Sequence, residues 1–111
     1  MSRILTKDGS VVVSRVVYAE TLPARLRGLL GRASLAEDTG LLLRPCGSIH
    51  MWFMRFPIDA AFLDSQMRVL KISRNLGPWQ MAFAPRGTVC VLETETGLLS
   101  KLNIGTQLTV A

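Results

Sequence analysis

One histidine, two cysteines, two tryptophans and one tyrosine in 111 residues leave little material for several common chemistries. A lone His50 excludes histidine-rich metal sites and any mechanism that needs two imidazoles. Cys46 and Cys90 cannot build a disulfide-dense framework. No window approaches the roughly 18 consecutive apolar residues of a membrane span. The opening residues Met1 to Gly9 lack the apolar stretch of a secretory signal, so the chain as supplied reads as cytoplasmic, and as exported only where a signal has been removed. There is no Gly-x-Gly-x-x-Gly, phosphate-loop or Gly-x-Ser-x-Gly pattern, so nucleotide binding and hydrolysis of those types lack support.

What is present is core-forming material and arginine. Apolar residues make up 49% of the chain against 19% charged, which is enough to fold one ordinary domain, residues 1–111, and too short a chain for two. The formal charge is +5, and ten of the thirteen cations are arginines, whose planar fork suits carboxylate or phosphate. The cations fall singly, with no basic run, and twelve of the thirteen precede Gly87. A diffuse basic binder of acidic polymers is therefore disfavoured relative to a few placed guanidinium groups.

Along the chain, the β-branched run Val11–Ala19 follows a Lys7-Asp8-Gly9-Ser10 turn signal and predicts one long strand. Thr21 to Leu30 predicts a short helix stopped by Gly31, with Leu22, Leu26, Leu29 and Leu30 on one face. Leu41–Leu43, Ile58–Leu63, Val69–Ser73, Thr88–Leu92 and Leu108–Val110 read as strands, with a hairpin connection at Asp64-Ser65-Gln66 and a second short helix near Gly97–Leu102. The expected fold class is α+β, mostly β: a single compact domain with a small barrel-like or strongly curved mixed sheet and two short helices.

The densest stretch is Ile49 to Asp64. Read as extended chain, it puts His50, Trp52, Met54 and Phe56 on one face and Met51, Phe53 and Arg55 on the other. Neither face is polar, so the run is covered on both sides or lines a cavity. Asp59 inside this run is costly to bury unless it is paired or hydrogen-bonded. Arg55 and Arg86, the latter in the Ala84-Pro85-Arg86-Gly87 turn, are the expected partners in a buried ion pair, with a ligand-facing carboxylate as the other reading. Cys90 reads first as a small buried hydrophobe, then as half of a Cys46–Cys90 bridge. Cys46-x-x-x-His50 with Cys90 and Asp59 names four zinc-type ligands without any paired spacing, and Cys46, His50 and Asp59 have the residue types of thiol catalysis without a supporting pattern. No metal and no cofactor is expected.

On Arg25-Leu26-Arg27-Gly28-Leu29-Leu30-Gly31-Arg32, Gly40 to Pro45, the Met54-Arg55-Phe56-Pro57-Ile58-Asp59 core, Ala84-Pro85-Arg86-Gly87 and the closing Gly97 to Val110 segment, the sequence resembles the family known as domain of unknown function 192. The resemblance covers most of residues 20–110. It implies a compact, mostly β domain with short helices, and it supplies no activity. Two departures stand out: Gly105-Thr106 where family members often carry Gly-Asp, and Ser65-Gln66-Met67 without the glycine common in that hairpin turn.

The residues therefore favour a small, non-enzymatic binding module. Its apolar cleft is lined by the His50–Phe56 run, with His50, Trp52, Arg55, Asp59, Trp79 and Arg86 as ligand-binding candidates and an anionic small molecule as the expected partner. The competing class is a protein-interaction or structural domain, monomeric or homodimeric, in which the same run packs a core or a partner face. Binding of RNA or single strands, and a Cys/His/Asp enzyme, stand third.

Overall fold

In a computed structural model of the protein, residues 3–19, 39–43, 48–50, 57–77 and 80–111 are described. Strands take 58% of them. Ten are present: β1 Ile4–Thr6, β2 Val11–Val13, β3 Arg15–Ala19, β4 Thr39–Leu43, β5 Ser48–His50, β6 Ile58–Leu63, β7 Val69–Leu76, β8 Met81–Phe83, β9 Cys90–Glu95 and β10 Leu108–Val110. They form three sheets, in the orders β10-β1-β2, β3-β4-β9-β6-β7 and β5-β8. Only the β3–β4 pair is parallel.

The long strand expected over 11–19 is broken at Ser14, and its halves belong to different sheets. A strand that bends from one sheet into another makes the corner between them. The five-stranded sheet is covered on both faces, and this explains why β4, β6 and most of β9 are buried along their length rather than alternating. On one face Val16, Leu42, Ala61, Leu63 and Leu92 pack with Ile4 and Val13 of the smaller sheet and with Leu99, Leu102 and Leu108. On the other, Leu41, Leu43, Ile58, Ala60, Phe62 and Val91 pack with Ala82 of β8. Gly40 permits the first contact, since a Cβ there would lie 2.7 Å from Leu92 Cδ1 and 3.2 Å from the Val13 methyls. Cys90 is a buried thiol, 3.8 Å from Met67 Sδ, as its core reading requires.

Two parts of the expected architecture are corrected. The sheets do not close into a barrel: β2 and β3 remain terminal strands. Nor is there a helix in the described residues, and the Gly97–Leu102 segment is a succession of tight turns, with Ser100 N donating to Gly97 O and Leu102 N to Leu99 O. Gly97 at φ 93° opens it, and six residues are too few to propagate a helix past its costly first turn. The helix expected over Thr21–Leu30 lies outside the described residues. Among those residues no helix is long and apolar enough to cross a membrane.

The Asp64–Arg68 hairpin explains one departure noted in the sequence. Asp64 Oδ1 accepts the Gln66 and Arg68 amides at 2.8 and 2.9 Å, and Met67 sits at φ 61°, the left-handed conformation that follows a tight turn in three-residue hairpin loops. Glycine adopts that conformation freely; methionine does so at a cost. The β1–β2 hairpin is tied in the same way, by Asp8, which accepts from the Thr6 hydroxyl and from the Ser10 amide.

These turns make a prediction about acid. The Thr6 hydroxyl, then the Ser10 amide, lowers the Asp8 carboxyl from 3.8 to about 2, and the Arg68 amide chiefly holds Asp64 below 3.8. Folded values depressed below the unfolded ones mean that both turns contribute fully above about pH 4 and that the Asp8 contribution is lost as pH falls toward 2. A carboxyl-carbon NMR titration should place the Asp8 midpoint near 2. A midpoint at the ordinary aspartate value would show that the turn is not closed in solution.

Candidate functional site

Asp59 lies on β6, 2% exposed, on the face shared with the smaller sheet. The β6–β7 register passes from Ile58↔Leu76 to Ala60↔Ser73, so Asp59 opposes two residues, Arg74 and Asn75, in a bulge. Asn75 takes φ 53°, a conformation asparagine tolerates better than most residues. Its amide donates to Asp59 Oδ1 at 2.9 Å, and the Gly97 amide donates to Oδ2 at 3.0 Å. Arg74 reaches the same turn segment from the other side of the bulge, donating to Leu99 O and Leu102 O at 2.8 Å each. Asp59, Asn75, Arg74 and the 97–102 turns thus form one closed ring of hydrogen bonds.

Of the two arginines expected to pair with Asp59, Arg86 makes no bond to it among the described residues, and Arg55 lies outside them. Both carboxylate oxygens accept backbone amides, an arrangement that itself stabilises a buried carboxylate. Arg86 is exposed in its turn at the far end of β6, where Val89 N donates to Leu63 O. The four residues from Asp59 to Leu63 span about 13 Å of strand. Arg55 lies outside the described residues, as do Trp52 and Trp79. The backbone of His50 is placed on β5, opposite Met81 of β8.

The face that β8 covers holds a residue the sequence reading passed over. Glu93 on β9 is 1% exposed, between Leu41 of β4 and Ala60 of β6 in register. Ser73 pairs with Ala60 on the next strand, so one row across this face reads Leu41, Glu93, Ala60, Ser73. Glu95, half-buried, follows two residues on and shares the face. Lys71 on the edge strand lies over the Phe62 ring at 5.4 Å and donates to Phe83 O, which ties β8 to this side of the sheet. Small Ala60 and Ser73 stand beside Glu93 in register, on the face where Ala82 of β8 packs. The signal was legible: Glu93 interrupts the apolar run Val89–Leu92 in phase with inward-facing Val91. Among the described residues no group of three His, Cys, Asp or Glu side chains is placed to hold a metal ion.

Comparison with known proteins places this scaffold. Residues 3–110 match the family model DUF192, an uncharacterized ACR. The chain belongs to this family. A UPF0127 protein of Thermococcus sibiricus is 34% identical over 99 residues, 86% of this chain and 64% of its own. A second, from Thermococcus kodakarensis, is 29% identical over 81% of this chain and 59% of its own. The chain spans less than two thirds of the length of both. A crystal structure of a Sinorhizobium meliloti protein, provisionally described as a transcription regulator, superposes with a TM-score of 0.81 at 24% identity over 98% of this chain and 91% of that one. A protein of unknown function from Novosphingobium aromaticivorans gives 0.77 at 25% identity over 99% and 82%. The DUF192 family carries no assigned activity, so function has to be argued from the residues of this member.

The ring around Asp59 gives a stability prediction. Asp59→Ala removes two charge-assisted bonds and leaves two inward amides unmet, at a cost of roughly 3 kcal/mol or more in urea unfolding. Arg86→Ala should fall within about 0.5 kcal/mol of the parent. Equal losses in the two variants would restore the ion pair and sink the amide assignment.

Proposed function

We propose that the protein is a small binding module whose ligand lies against the Glu93 face of the five-stranded sheet, beneath β5 and β8. The observation that carries this reading is a carboxylate, 1% exposed, set in a row with Leu41, Ala60 and Ser73 across the face on which Ala82 packs. Burying such a charge costs several kcal/mol before compensation, and groups held at that cost are enriched at functional sites. The ligand class that suits Glu93 and Glu95 is a small molecule bearing amine or hydroxyl donors.

A second reading, an anionic small molecule at Arg86, is favoured by one observation. Asp59 is satisfied by amides, so it does not neutralise Arg86, which stands exposed in a turn closed by Thr88 Oγ1 donating to Pro85 O.

Thermal-shift screening of the full chain separates these readings, using amino sugars, polyols and diamines in one set, carboxylates and phosphates in a second, and a short single-stranded oligonucleotide. At a hundredfold excess over Kd a bound ligand adds about 2.7 kcal/mol, a rise of roughly 10 °C in a domain of this size. The donor-bearing set should contain the hit, and Glu93→Gln should abolish the shift while keeping a cooperative transition. A hit confined to the anions and lost in Arg86→Ala supports the second reading. No hit in any set rejects both and moves the weight to a protein-interaction domain.

A further inference from the structure

A second feature lies on the opposite side of the sheet from Glu93 and does not rest on the reading above. Between β2 and the 97–101 turns runs an open groove of about 450 Å³, lined by Val11, Val12, Ser14, Gly97, Leu98 and Lys101 among others. That volume falls within the roughly 300–1,000 Å³ of ligand clefts. One bank is β2, the terminal strand of its sheet, with β1 as its single strand neighbour among the described residues. Val11 is 53% exposed there. The other bank is held rigid by the Asp59 and Arg74 bonds to Gly97, Leu99 and Leu102. Gly97 leaves it low, since a Cβ at that position would meet nothing within 4 Å.

A terminal strand offers backbone donors and acceptors at strand spacing, and a preformed opposite bank lowers the ordering cost of a partner. The charge of the groove is of one sign. Among the described residues Lys101 is its one titratable lining group, Arg15 is exposed one residue beyond Ser14, and neither donates to an acid. We propose that this groove takes an extended, acidic peptide segment that adds a strand to the β2 edge and sets a carboxylate on Lys101. The main-chain bonds supply affinity and the alternate side chains supply selectivity, as in other strand-addition sites. A peptide suits the site better than a nucleic acid strand because the banks present valine and leucine rather than aromatic platforms for bases.

The test uses the full chain and a fluorescein-labelled, acetylated heptapeptide alternating valine and glutamate, read by anisotropy. Two competitors for the same role are the peptide N-methylated at alternate backbone nitrogens and a labelled oligothymidine. The parent protein should bind the plain peptide, N-methylation should remove binding, and Lys101→Glu should raise Kd about fivefold or more with an unchanged melting temperature. Val12→Pro, which deletes a β2 amide, should act in the same direction, with its circular dichroism checking the fold. Absence of peptide binding, equal binding of the N-methylated form, an unchanged Kd in Lys101→Glu, or tighter binding of oligothymidine would each overturn the proposal.

Discussion

The fold turns on a buried carboxylate held by two backbone amides. Asp59 accepts one amide from the β7 bulge and one from the Gly97 turn, and Arg74 closes the ring by donating to two carbonyls of the same turn segment. Charge-assisted bonds to backbone amides are about twice as strong as neutral ones. They hold the β6–β7 pair and the 97–102 segment in one geometry. That segment carries Leu99 and Leu102 into the core beneath the smaller sheet, so the ring also fixes how the two sheets meet.

The same constraint orients both proposed binding surfaces. On one side of the five-stranded sheet it leaves the turns as one bank of a groove beside β2. On the other, strands held in register align Leu41, Glu93, Ala60 and Ser73 across three pairings, which buries a second carboxylate inside the sheet. The two acids inside the sheet therefore do different work. Asp59 meets backbone and builds the scaffold; Glu93 is the group the proposed binding function rests on.

Much of the strand content was legible in the sequence, because short apolar runs bounded by turn signals marked β4, β6, β7, β9 and β10 to within a few residues. The Val11–Ala19 run was legible as extended chain, but its division at Ser14 was not, since only packing of both halves reveals that one strand serves two sheets. Gly97–Leu102 shows the opposite failure. Its leucine spacing suggests a helix, while Gly97 at positive φ and the claim of Arg74 on its carbonyls turn it into successive tight turns. Asp59 was recognised as a buried acid that needs compensation, and the two amides that supply it were not foreseen because a bulge amide and a turn amide leave no trace in residue type. Glu93 was missed for a simpler reason: it stands after an apolar strand, where an acid reads as a strand end until the register shows it inside the sheet.

Native-state amide hydrogen exchange of the parent protein tests the central claim most directly. If the Asp59 carboxylate anchors the fold, the Asn75 and Gly97 amides, though on an edge strand and in a turn, should exchange only through global unfolding, at the rates of the β6 and β9 core. Exchange of either amide at the rate of the exposed Gly9 or Gly105 turns would contradict it.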